Sequence, residues 1–130
     1  MLNNFYVTTP IYYVNDKPHI GHAYTSIAAD YLARFNRLAG RESFFLTGTD
    51  EHGTKVANAA EAALKTPQEF CDEVVQSFMD TWQVLGLAND YFVRTTDLRH
   101  VEAVQKLLTV LKEAKGPNGQ DVVYPGIYEG

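Results

Sequence analysis

His19 and His22 are three residues apart, a spacing that sets two side chains on one side of a helix's first turn. Two imidazoles placed there can donate hydrogen bonds to phosphate oxygens, beside the backbone N–H groups that a helix start leaves unpaired. The pair sits in the run Pro18-His19-Ile20-Gly21-His22, where Gly21 lets a planar ring or a backbone approach closely. The same His-x-x-His spacing suits half of a metal site completed by Asp50 and His52, or an ordinary surface or capping pair. Spacing alone leaves all three readings open. The sequence has neither a Walker A pattern nor a spaced-glycine dinucleotide fingerprint, so a phosphate grip here would be built on histidine.

A second group of chemically useful residues is Gly48-Thr49-Asp50-Glu51-His52-Gly53. A carboxylate in a narrow crevice can hold a substrate ammonium, a charge-assisted hydrogen bond contributing roughly 1.5–3 kcal/mol. The competing structural role is a cap for a helix starting at Thr54, supplied by Asp50 or Thr49. Ile11, Tyr12 and Tyr13 can line an apolar side-chain pocket, although an isolated aromatic run is more often core. Cys71 falls on a helix among acidic residues and is expected to be inert.

These residues need elements to position them. Asn4 to Thr9 reads as a short buried strand that Pro10 stops. A loop to Pro18 precedes a helix from about His19 to Ala39, with Gly40 as its C′ residue. Ile20, Tyr24, Ile27, Ala28, Tyr31, Phe35 and Leu38 form one apolar stripe along that helix. Ser43 to Thr47 is the next strand. Strand, loop, helix, strand makes a βαβ unit with parallel pairing. In an open parallel sheet ligands bind beyond the carboxyl ends of the strands, so the 10–18 and 48–53 loops should converge on one crevice. Thr54 to Leu64 is helical. Thr66-Pro67-Gln68-Glu69 starts a further helix with a capping box and proline at its first position. Tyr91 to Arg94 reads as a strand, and Thr96 as the cap of a helix to Glu113. Val122 to Tyr128 reads as a strand or hairpin. The fold class is α/β.

Composition narrows the function classes. The chain has 130 residues and a formal net charge of −5, which argues against gripping phosphate backbones as its main task. One cysteine permits neither an internal disulfide nor a Cys-rich zinc site. No apolar run is long enough to span a bilayer, and a cytoplasmic protein with no membrane partner is expected. The chain is expected to be a fragment of a longer protein rather than a complete small domain.

Pro18-His19-Ile20-Gly21-His22 resembles the HIGH motif of class I aminoacyl-tRNA synthetases. Thr8-Thr9-Pro10-Ile11-Tyr12-Tyr13-Val14-Asn15 before it and Phe45-Leu46-Thr47-Gly48-Thr49-Asp50-Glu51-His52-Gly53 after it are similar to the methionyl branch of that family, as is Arg94-Thr95-Thr96. Three such segments in this order are far more specific than HIGH alone. The resemblance implies the first half of a Rossmann-like (HUP-type) parallel-sheet nucleotide-binding domain over residues 1–115, with the start of a connective insertion at 116–130. It also implies methionine activation by ATP with Mg2+, then transfer of the methionyl group to tRNA(Met). His19 and His22 would act on ATP phosphates, with Gly21 making room for adenine. Asp50 would bind the methionine ammonium with the Ile11 carbonyl, and Ile11 and Tyr13 would line the thioether pocket. No protein metal ligand is implied within the chain. The lysine-containing KMSKS loop, any zinc-binding cysteines and an anticodon-binding domain would lie beyond Gly130, so the fragment alone is not expected to charge tRNA. The alternatives are a class I synthetase for another apolar amino acid, a metal-dependent hydrolase using His19, His22, Asp50 and His52, or a non-catalytic binding module.

Overall fold

The computed structural model describes residues 4–129. The chain divides after Thr95 into two compact units. The first contains a four-stranded parallel sheet and three helices. Its strands are β1 (Asn4–Thr8), β2 (Tyr12–Tyr13), β3 (Glu42–Asp50) and β4 (Tyr91–Arg94). Its helices are α1 (Ile20–Leu38), α2 (Thr54–Ala62) and α3 (Pro67–Val84). β3 is the central strand. β1 pairs with it from Asn4↔Glu42 to Thr8↔Leu46, and β4 from Leu46↔Tyr91 to Thr49↔Arg94.

β2 continues along the edge of β3 that β1 uses, at Tyr12↔Thr49 and Tyr13↔Asp50. Thr49 thus has Tyr12 on one side and Arg94 on the other. The register slips by one residue between β1 and β2, so the chain bulges around Pro10, which has no N–H to give the ladder. The second strand was expected over 43–47 and runs on to Asp50. Its extra length is paired with β2, inside what reads in sequence as loop. Gly48 is required by β4: a Cβ there would lie 2.0 Å from the Val93 carbonyl oxygen.

The apolar stripe of α1 is not its buried side. Ile20, Tyr24 and Leu38 are 85%, 78% and 89% exposed, and Ile27, Tyr31 and Phe35 are also exposed. The helix buries Ser26, Ala29, Asp30, Ala33 and Asn36 instead. Ala29 and Ala33 pack on Phe45, with Val7 beside them. Polar groups complete that side. The Asp30 carboxylate accepts from Arg34 (2.6 Å) and from the Ala88 N–H (2.8 Å). Asp90 accepts from the Phe45 N–H (2.7 Å) and from Arg37 (2.5 Å).

A larger core joins Tyr12 and Val14 to Val56 of α2 and to Cys71, Val74, Val75, Phe78 and Trp82 of α3. Each fully buried large apolar side chain, such as Phe78, contributes about 1.5–3 kcal/mol. α3 begins as the sequence indicates: Thr66 and Glu69 form the capping box, with Pro67 at the first helical position.

The second unit holds α4 (Leu98–Glu113). Asp97, not Thr96, occupies its N-cap position, because the chain remains extended through Asp97 (φ −60°, ψ 133°). The strand expected over 122–128 does not form. The described residues there make no strand, and one antiparallel bridge, Lys115↔Asp121, closes the preceding turn. That segment lacks the alternating partner strand it would need.

Candidate active site

His19 is the N-cap of α1, in extended conformation, and its Nδ1 accepts from the Gly21 N–H at 3.1 Å. The His22 Nδ1 accepts from the His19 N–H, also at 3.1 Å. The two histidines therefore form a reciprocal capping box, with imidazole in the places usually taken by Ser or Thr and Glu or Gln. Their rings stack with centroids 3.8 Å apart. Because both Nδ1 atoms act as acceptors, the neutral rings carry their protons on Nε2. Two Nε2–H donors are thus left for a ligand at the start of a helix whose first turn holds no acidic residue.

The His22 pKa is lowered, first by burial and then by the neighbouring His19. The His22 ring lies against Tyr12 (4.7 Å between centroids) and Phe78 (5.2 Å). Tyr12 also shares a 3.0 Å hydrogen bond with Ser26, so the buried polar face of α1 fixes the first turn. Gly21 is needed for this arrangement, since a Cβ would lie 2.9 Å from Cε1 of His19. The space that glycine leaves open is taken by that imidazole.

The loop from Pro10 does meet the end of the second strand, as β2 against β3. Its residues split between two roles. Tyr12 is core, 6% exposed, whereas Tyr13 (53%) and Ile11 face outward. Alternation along β2 explains the split. Tyr13 and Asp50, register partners, line a pocket of about 350 Å³ with His52, Gly53, Thr54 and Lys55. The Lys55 ammonium lies 5.8 Å from the centre of the Tyr13 ring. Asp50 does not cap α2; its N-cap is Gly53, with no side-chain cap hydrogen bond. Instead Oδ1 of Asp50 accepts a long 3.4 Å contact from the His52 N–H. The two histidines and the Asp50–Tyr13 pair are thus two clusters joined through neighbouring residues of β2.

Glu51 and Arg94 form a pair across neighbouring strands that the sequence does not announce. The Glu51 side chain is fully buried and accepts two 2.8 Å bonds from Arg94, at Nε and Nη2. Arg94 also bonds Asp72 at 2.6 Å. These partners hold the guanidinium charged, Glu51 above all, and Arg94 in turn lowers the Asp72 pKa. A signal existed: an arginine ending one strand and a glutamate just past another. The pairing shows only once β3 and β4 are known to be neighbours. Burial pushes the Cys71 thiol up to about 11, with Glu51 adding to the shift, which agrees with an inert cysteine.

Among the described residues, no three His, Cys, Asp or Glu side chains gather in a way that could hold a metal ion. His19, His22, Asp50 and His52 therefore do not form the metal cluster that a metal-dependent hydrolase would need. No described helix is long and apolar enough to cross a membrane.

The histidine-capped helix and the Asp50 pocket thus lie at the carboxyl ends of parallel strands, where open α/β sheets bind their ligands. The family model for tRNA synthetases class I (M) matches residues 5–121. The methionine–tRNA ligase of Thermotoga maritima is 56% identical over 97% of this chain and 19% of its own length. That of Rickettsia bellii is 53% identical over 100% of this chain and 24% of its own. The Mycobacterium tuberculosis methionyl-tRNA synthetase, solved in complex with methionyl-adenylate, superposes with a TM-score of 0.81 at 45% identity, covering 83% of this chain and 21% of that one. The LeuRS of Agrobacterium radiobacter, solved in a ternary complex with tRNA and LeuAMS, gives a TM-score of 0.76 at 28% identity, covering 82% and 14%. The chain belongs to the class I tRNA synthetases of the (M) family. It spans about a fifth of the length of the curated relatives it matches.

Proposed function

We propose that the protein carrying this chain activates methionine with ATP to methionyl-adenylate and pyrophosphate, then transfers the methionyl group to tRNA(Met). The observation that carries this reading is the His19–His22 capping box, which leaves two Nε2–H donors at an uncompensated helix N-terminus. Relatives at 53–56% identity bear the methionine–tRNA ligase name, which favours methionine over the other apolar amino acids. Leucine is the competitor that the structural likeness at 28% identity raises.

In this reading the methionine carboxylate attacks the α-phosphate of ATP, and pyrophosphate leaves. His19 and His22 donate hydrogen bonds to phosphate oxygens as negative charge shifts in the transition state, the kind of preorganised stabilisation that dominates phosphoryl and nucleotidyl transfer. Asp50 takes the substrate ammonium, with the Ile11 carbonyl as second acceptor, and Ile11 and Tyr13 flank the thioether. Mg2+ would come with the ATP phosphates, and no step is assigned to a protein-held ion. Zinc would need ligands from outside this chain, which has one cysteine. The cytoplasm, where tRNA is charged, is the matching location. Residues 1–115 serve as the first half of the catalytic domain, and 116–130 lead into its insertion.

Methionine-dependent exchange of labelled pyrophosphate into ATP, measured on the full-length natural protein, is the test. Exchange with methionine and none with leucine is the expected result. Exchange with leucine alone selects the leucine reading, and no exchange with any amino acid rejects both.

A further inference from the structure

We propose that Glu51 and Arg94 are positioning residues for Asp50, together holding its carboxylate where it meets the substrate ammonium. The inference rests on the reading of Asp50 given above, and the observations behind it are independent of that reading. Asp50 is the last residue of β3, and both its neighbours are fastened to the Arg94–Thr95 segment. Before it, the Thr49 carbonyl accepts from the Thr95 N–H at 3.3 Å. After it, the Glu51 N–H donates to Oγ1 of Thr95 at 2.9 Å, and the Glu51 carboxylate is held at both oxygens by Arg94. Oγ1 of Thr49 donates to the same carboxylate at 2.7 Å, bracing the backbone across Asp50. One residue further, Nε2 of His52 lies 3.3 Å from the Thr95 carbonyl oxygen. The turn carrying Asp50 is therefore tied down on each side, while the Asp50 side chain itself, among the described residues, accepts the long His52 contact.

The charges fit the same role. Arg94 is engaged by both Glu51 and Asp72. A bidentate guanidinium–carboxylate pair also fixes orientation in a way a lysine cannot reproduce. Removing one partner strands a buried charge and loosens the turn.

The experiment measures methionine-dependent pyrophosphate exchange by the full-length natural protein and its Arg94→Ala, Arg94→Lys, Glu51→Gln and Asp50→Asn variants, with melting temperatures alongside. Arg94→Ala and Glu51→Gln should raise KM for methionine by about tenfold, the scale of one lost charge-assisted hydrogen bond, with KM for ATP unchanged. Arg94→Lys should recover part of the loss. Parallel rises in both KM values, or a lower melting temperature with methionine KM unchanged, would reduce the clamp to a structural brace and overturn the proposal. If Arg94→Ala does not fold, Glu51→Gln, which keeps the shape but leaves one acceptor oxygen instead of two for Arg94, decides the matter. An unchanged methionine KM in Asp50→Asn would show that the Asp50 reading itself fails, and the proposal with it.

Discussion

His22 serves two purposes at once. Its Nδ1 satisfies a backbone donor of its own helix, and under the proposed function its Nε2 donates to a phosphate oxygen. His22→Ala should therefore lower kcat for methionine activation far more than it raises KM for methionine, whereas Asp50→Ala should chiefly raise the methionine requirement. Steady-state exchange kinetics on both variants check this, and an exchanged pattern would mean the roles are assigned the wrong way round. The lowered pKa of His22 also gives stability a pH slope. The unfolded chain takes up the proton near the ordinary histidine value of about 6.5, and the folded chain only below it. The unfolded state thus binds more protons in that window. The contribution is complete above the ordinary value and is lost as pH falls through it towards the folded one. Thermal melts should show a shallower decline between about pH 7.5 and pH 5.5 for His22→Gln than for the unaltered protein.

At the scale of elements, β3 sets the positions of the site. Its five residues Leu46–Asp50 receive β4 on one edge and β2 on the other, and close contact at Gly48 permits this. Gly48→Ala should destabilise the protein by about 1–3 kcal/mol, the usual cost of overpacking, visible in denaturant unfolding. Thr66→Ala, which removes an exposed cap, should cost about 1 kcal/mol. Much of this level was legible in sequence. The helix starts at His19 and Thr66, the parallel strands and the stop at Gly40 follow from local rules that tertiary contacts did not override. The misreadings were of two physical kinds. Tyr12–Tyr13 looks like loop because a two-residue strand exists only through its partner. The stripe on α1 looks like core because periodicity shows which residues share a face and not which face meets the sheet. Ala29 and Ala33 win that contact because small side chains let the helix sit close to Phe45. Glu51 and Arg94 were invisible as a pair for a related reason: forty-three residues separate them in the chain.

At the scale of the whole molecule, α1 leaves seven large apolar side chains facing water: Ile20, Tyr24, Ile27, Tyr31, Leu32, Phe35 and Leu38. Contiguous patches of this kind on a soluble surface mark an interface or an aggregation liability. Expressed alone, the 130-residue chain should self-associate as its concentration rises, and serine at Tyr24, Tyr31 and Phe35 should suppress this; light scattering would show either outcome. The same helix carries the histidine cap at its start, so the apolar face and the capped end are one rigid body. That has a consequence on the ribosome. The face is complete once Leu38 has emerged, while relatives are about five times the length of this chain. At about 5–20 residues per second, a polypeptide of that size takes tens of seconds to make. Were a later-made segment to cover this face, the nascent helix would until then be open to chaperones that hold exposed aromatic segments, and the timing of translation would become part of how α1 is assembled.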